Sequence, residues 1–183
     1  AVTDHRIEKL ALVSGMMAAD AFQWTDRTMA NHMIAAANQA KQQIYESGEP
    51  VYVAPFLLDD EQSREEHIAL SPNPMAGESY DYYGRDGIRG PKAVKNFTNL
   101  HIADQAMESL ISIGEAYADK ITQPTLVVYG THASTAICST AFVDKLTNEH
   151  EVLAVEDFGH VDFYHQPDAV KVSADAAAAF FRR

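Results

Sequence analysis

Apolar and polar positions along the chain fall into short blocks of different period. Leu10-Ala11-Leu12-Val13 is an unbroken apolar run closed by Ser14-Gly15, the pattern of a buried strand. From 25 to 48 the period changes to three and four. Met29, Met33, Ala36, Ala40 and Ile44 form one apolar stripe, with Thr25 or Asp26 available as N-cap and Gly48 as C-terminal stop, so a helix is predicted there. Residues 49–100 have no clear period. Pro50, Pro55, Pro72, Pro74 and Pro91 interrupt them, as do Gly84, Gly87 and Gly90, and this stretch reads as an excursion with short helices around Glu61–Ala69 and Tyr80–Tyr83. Residues 101–119 read as a further helix with Met107, Leu110 and Ile111 inward.

The last third alternates most plainly. Pro124 to Gly130 is a β-branched run bounded by Pro and Gly, and Glu151 to Val155 is a second strand. Between them a short helix is expected over Ala141–Leu146, and Phe158 to Asp162 form a turn. Pro167 opens a final helix at its favoured first position, with Val170, Ala174, Ala177 and Phe181 as the expected apolar face. Apolar strands alternating with helices imply an α/β fold, a parallel sheet flanked by helices.

Composition narrows the chemistry. Fourteen Lys and Arg against 26 Asp and Glu leave a formal charge of −12. With no basic cluster, nucleic acid and anionic membrane surfaces are not expected partners, and no apolar run approaches the ~20 residues a bilayer span needs. Cys138 is the sole cysteine, so it forms no internal disulfide and anchors no Cys-based zinc site; it reads as a small buried hydrophobe. A cytoplasmic location and a small-molecule substrate are the expectations, with no cofactor.

Parallel α/β sheets gather reactive groups at the carboxyl ends of their strands. Three such ends occur here: Ser14-Gly15, Gly130 to Ser134, and Glu156 to His160. A His after the last strand can serve as a general base because imidazole titrates near neutrality, or it can be a loop or capping residue. His160, Asp162 and His165, with His132 at the neighbouring strand end, could also be read as metal ligands, but their spacing matches no strong zinc motif.

The run Pro124 to Gly130, the run Glu151 to His160, and then Asp162-Phe163-Tyr164 before a terminal amphipathic helix resemble the C-terminal third of α/β hydrolases. Gly159-His160-Val161-Asp162-Phe163-Tyr164 is similar to the G-x-x-H-x-D-L-Y turn of dienelactone-hydrolase-like and peptidase-like members, whose His is the catalytic base. Asp4-His5-Arg6-Ile7 and the strand ending Val13-Ser14-Gly15 resemble a segment that follows the nucleophile elbow in those proteins, and residues 19–22 with the aromatic excursion look like their insertion over the active site. The resemblance implies that residues 1–183 are the C-terminal part of one α/β-hydrolase domain, with the excursion near 49–100. It implies hydrolysis of an ester, thioester or small amide by acyl transfer to water, with His160 as base.

Two departures shape that expectation. No G-x-S-x-G elbow occurs, and Ser14 imitates it poorly because Leu12 stands where the elbow needs a small residue. The nucleophile and oxyanion hole are therefore expected from a portion outside this chain, an N-terminal segment or an associated chain, leaving the chain inactive by itself. Such a partner, or a second copy of the chain, would also cover the apolar edge of the first strand. The acid is the second departure: the positions where the family places Asp hold Ala133 and Ser134, but some relatives carry the acid after the earlier strand, and that resemblance implies Asp20 as the candidate, with Asp157, close to His160 in sequence, as the other carboxylate. Tyr82 and Tyr83 either line an acyl or aromatic pocket or pack the excursion. A binding or scaffold domain that has kept the fold without the triad is the alternative reading.

Overall fold

In the computed structural model, residues 1–4, 6–53, 63–70, 75–84, 86–89, 95, 100–111 and 113–183 are described. In chain order the elements are β1 (Leu10–Val13), α1 (Ala19–Gln23), α2 (Arg27–Ser47), β2 (Tyr52–Val53), α3 (Arg64–Leu70), α4 (Ala76–Tyr83), β3 (His101–Ile102), α5 (Ala106–Leu110), β4 (Thr125–Gly130), α6 (Ala136–Val143), β5 (His150–Val155), α7 (Asp162–His165) and α8 (Pro167–Arg182). Two short 3₁₀ helices, Ala103–Gln105 and Gly114–Lys120, flank α5. The chain divides into two units, one of residues 1–22 with 112–183 and one of residues 23–111.

The first unit carries the parallel sheet. Its strand order is β1-β4-β5, with Leu10 opposite Thr125 and Thr125 opposite His150, and both pairings are parallel. Strand β4 lies in the middle and is almost wholly buried because both its edges are paired and both its faces are covered. The two-residue period of the strand splits its side chains between two cores. Val127 packs with Ala118, Ile121, Phe142 and Leu146; Leu126 and Val128 pack on the opposite face with Phe163, Ala169 and Phe180. Each fully buried side chain of this size contributes roughly 1.5–3 kcal/mol.

The second unit is built around α2. Asp26 caps it, its carboxylate accepting from the backbone N–H groups of Thr28 and Met29, and Gly48 ends it at φ +73°. β2 and β3 form a two-residue antiparallel pair. The prolines at 55, 72, 74 and 91, and the start of the helix expected at Glu61, lie outside the described residues.

Four expectations are corrected. In α2 the buried residues are Ala30, Ala37 and Ala40, with Met29, Met33 and Ile44 half-buried and Ala36 exposed. In α8 the inward residues are Ala169, Ser173 and Phe180, while Val170 and Phe181 are exposed. One residue along a helix is about 100° of rotation, so an apolar stripe displaced by one position presents a different face. Residues 101–119 do not form one helix: α5 stops at Leu110, Ile111 is exposed, and Ile113 leaves to make an isolated antiparallel bridge with Ala18. The short helix expected over Ala141–Leu146 runs instead from Ala136 to Val143.

Gly130 matters most for the site. A Cβ there would lie 2.0 Å from the carbonyl oxygen of Phe158 and 3.1 Å from the Phe163 ring, so only glycine lets the end of β4 abut the turn that carries His160. We predict that Gly130→Ala lowers the unfolding free energy of the full-length protein by about 1–3 kcal/mol in urea titrations, the usual cost of overpacking. An unchanged midpoint would show that the turn can retreat freely.

Candidate functional site

The parallel strands bring three chain segments to one edge of the sheet. Ser14 directly follows β1, Thr135 directly precedes α6 after β4, and His160 lies between β5 and α7. The loops are pinned from below. Ser14 N–H donates to the Val128 carbonyl at 2.8 Å, and His132 N–H donates to the Phe158 carbonyl at 3.1 Å. Asp162 accepts from Gly159 N–H at 2.7 Å through Oδ2, and Val161 and Phe163 are buried, so the 158–164 turn is anchored on both sides of His160.

His160 is only 5% exposed, and its ring meets three hydroxyls. Nδ1 lies 2.7 Å from Thr135 Oγ1 and 3.2 Å from Ser14 Oγ, while Nε2 meets the Tyr164 hydroxyl. Tyr164 also stands edge-on to the imidazole, with ring centroids 5.3 Å apart. Ser14 Oγ donates to the backbone carbonyl of His160 at 2.9 Å. Burial lowers the pKa of His160 below its ordinary value, because the low-dielectric surroundings disfavour the imidazolium.

Ser14 adopts φ +47°. For a residue with a Cβ this left-handed conformation costs on the order of 1–2 kcal/mol. Its backbone N–H and its hydroxyl are both held by the contacts just given, and the hydroxyl faces Nδ1 rather than Nε2.

The candidate acids are placed apart from the ring. Asp20 lies on α1; its Oδ1 is buried and has no hydrogen-bond partner among the described residues, and it makes no hydrogen bond to His160. Asp157, at φ +65°, is exposed and sits 3.6 Å from the exposed His132. Among the described residues no carboxylate bonds the imidazole of His160. Nor is there a cluster of three or more His, Cys, Asp or Glu side chains able to hold a metal. His165, one of the residues considered as a ligand, donates from Nδ1 to the Val161 carbonyl.

Tyr82 and Tyr83 lie on α4 in the second unit, edge-on at 4.7 Å between ring centroids. Tyr82 is buried, and packing accounts for it; Tyr83 is half-buried, and burial first, then the neighbouring Tyr82, raises its hydroxyl pKa. Cys138 is buried on α6. Thr135 and Tyr164 are the site residues that sequence reasoning missed. Thr135 stands one position past Ala133 and Ser134, where a family acid was sought, and Tyr164 follows His160 by four residues, the spacing of one helical turn.

No protein-family model matches the chain, and no curated protein does. Among the solved structures that share its fold are the following two. One is DcsB in complex with its substrate analogue: 19% identical, covering 99% of this chain and 58% of that one, TM-score 0.69. The other is the hypothetical protein PA2218 from Pseudomonas aeruginosa: 18% identical, covering 99% of this chain and 55% of that one, TM-score 0.65. The chain thus spans little more than half the length of the structures it matches. At these identities the likeness shows the mixed α/β fold with its parallel sheet. Among the described residues no helix is long and apolar enough to cross a membrane.

The buried imidazole has a consequence for stability. The unfolded chain protonates His160 as pH falls through about 6.5, whereas the folded chain, with its lowered pKa, does so only at lower pH. The unfolded state then binds more protons. The contribution of the neutral ring is therefore complete above about pH 6.5 and is lost as pH falls through the folded value. His67, also buried with a lowered pKa, adds a term of the same sign. We predict that unfolding free energy of the full-length protein declines from pH 7 to pH 5 and that His160→Gln flattens this decline. Equal slopes for the two proteins would contradict it.

Proposed function

We propose that this chain is part of a serine hydrolase of the α/β-hydrolase fold, and that His160 is its general base. The observation that carries the reading is a buried imidazole, its pKa lowered by burial, at the carboxyl edge of a parallel sheet, with a hydroxyl already on Nε2. A neutral His so placed can take a proton from a serine as it attacks an acyl carbon, and return that proton to the leaving group. The substrate would be a small ester, thioester or amide.

The nucleophile and the oxyanion donors would come from a segment outside this chain. Two facts support that: the chain has no G-x-S-x-G motif, and it spans 58% of DcsB and 55% of PA2218, two structures that share its fold. Among the described residues no strand pairs with the outer edge of β1, and a further parallel strand would pair there. One observation favours a second reading, a binding or scaffold domain: among the described residues, the side chains hydrogen-bonded to the His160 ring are neutral hydroxyls, and none is a carboxylate that would stabilise an imidazolium.

Kinetics separate the two. In the full-length protein, His160→Ala is predicted to lower hydrolysis of short acyl esters by about a thousandfold or more, with an unchanged circular-dichroism spectrum. A loss of less than tenfold would remove His160 from the base role. Full-length protein inert towards esters, thioesters and amides, despite carrying an elbow, would favour the scaffold.

A further inference from the structure

The hydrogens around His160 can be placed from their partners. A carbonyl oxygen only accepts, so the single hydroxyl hydrogen of Ser14 is committed to the His160 backbone carbonyl. Ser14 therefore presents a lone pair to Nδ1, 3.2 Å away. A bare Nδ1 would set two lone pairs against each other at that distance. With hydrogen on Nδ1, the same contact becomes attractive, and Thr135 Oγ1, at 2.7 Å, accepts from it as well. A neutral ring with hydrogen on Nδ1 has a lone pair on Nε2, which the Tyr164 hydroxyl can fill by donating. One arrangement of hydrogens thus satisfies all four contacts.

We propose that Thr135 and Ser14 are positioning residues that hold His160 as its Nδ1–H tautomer, the task a carboxylate performs in a Ser-His-Asp triad. Ser14 is then an orienting group and not a nucleophile, since its hydroxyl faces the donor nitrogen and its hydrogen is spent on the chain it sits against. The strained backbone at Ser14 fits this use: φ +47° turns the side chain back under the ring, and the Val128 carbonyl holds the amide there. Thr135 is 3% and Ser14 6% exposed, so water competes little for either contact. Hydroxyls fix ring orientation and tautomer but bring no negative charge, so they set the geometry of the base without stabilising its charged form as a carboxylate does. The consequence for catalysis rests on the hydrolase reading; the tautomer does not.

The test is ¹⁵N NMR on full-length protein labelled at its histidines, at a pH where the ring is neutral, with the His160 signals assigned by their loss in His160→Gln. The expected spectrum has a pyrrole-like Nδ1 and a pyridine-like Nε2. Thr135→Ser should keep it, while Thr135→Val and Ser14→Ala should move His160 towards a mixture of tautomers. Asp20→Asn should leave it unchanged. A pyridine-like Nδ1 in the wild type, or a tautomer that responds to Asp20→Asn but not to Thr135→Val, overturns the proposal. In turnover assays Thr135→Val should lower kcat about tenfold or more, towards the ~10⁴ that a wrong tautomer costs, with rescue by Thr135→Ser. An Nδ1–H spectrum in a protein that hydrolyses nothing would uphold the tautomer assignment and defeat the hydrolase reading instead.

Discussion

Strand β4 is paired on both edges and covered on both faces, and the site inherits its geometry from that constraint. Because β1 and β5 both run parallel to it, the chain after each of the three strands emerges on the same edge. Ser14, Thr135 and His160 come from widely separated parts of the sequence and meet there. The close approach of Gly130 to Phe158 then sets the height of the His160 turn above the sheet, and Phe163 buries the far side of that turn in the Leu126 and Val128 core. The imidazole is thus located by packing, and the hydroxyls adjust only its rotation and its proton. Backbone strain of on the order of 1–2 kcal/mol at Ser14 is small beside the burial that holds β1 and β4 together.

The chemistry of the site follows from having hydroxyls where a triad has a carboxylate. Burial lowers the pKa of the His160 imidazole, and among the described residues no carboxylate bonds it; this suits a base and disfavours the imidazolium that a base becomes. In an assembled hydrolase that deficit would have to be met by groups beyond this chain, or be accepted as a slower reaction. The same deficit is the best argument for a domain that binds without catalysing. The two readings differ in what happens at Nε2. In one, Tyr164 must yield its place to a serine hydroxyl; in the other, it stays.

Much of the fold was legible where its signals are local. The β-branched run at β4, Pro167 at the head of α8, and Asp26 and Gly48 at the ends of α2 each specify structure through their own backbone preferences. His160 could be found from a strand, a turn and the Gly-His run. What lay beyond reach depends on non-local contacts. Which stripe of α8 faces inward depends on where the sheet meets it, and a one-residue displacement exchanged Val170 and Phe181 for Ala169 and Phe180. α5 ends at Leu110, and Ile113 bridges to Ala18, nearly a hundred residues away in sequence. Thr135 stands one position beyond where the resemblance implies a carboxylate, and the group that reaches the ring there is a hydroxyl, which carries no such signal in the sequence. Ser14 was visible as a serine after a strand, but its side of the imidazole can be read only from the fold.

The claim that His160 serves a nucleophile outside this chain is tested most directly by mapping a fluorophosphonate adduct on the full-length protein by peptide mass spectrometry. The account predicts one modified serine, lying in a G-x-S-x-G turn outside this chain, and loss of that labelling in His160→Ala. Modification of Ser14, or steady ester turnover with no serine modified at all, would contradict it.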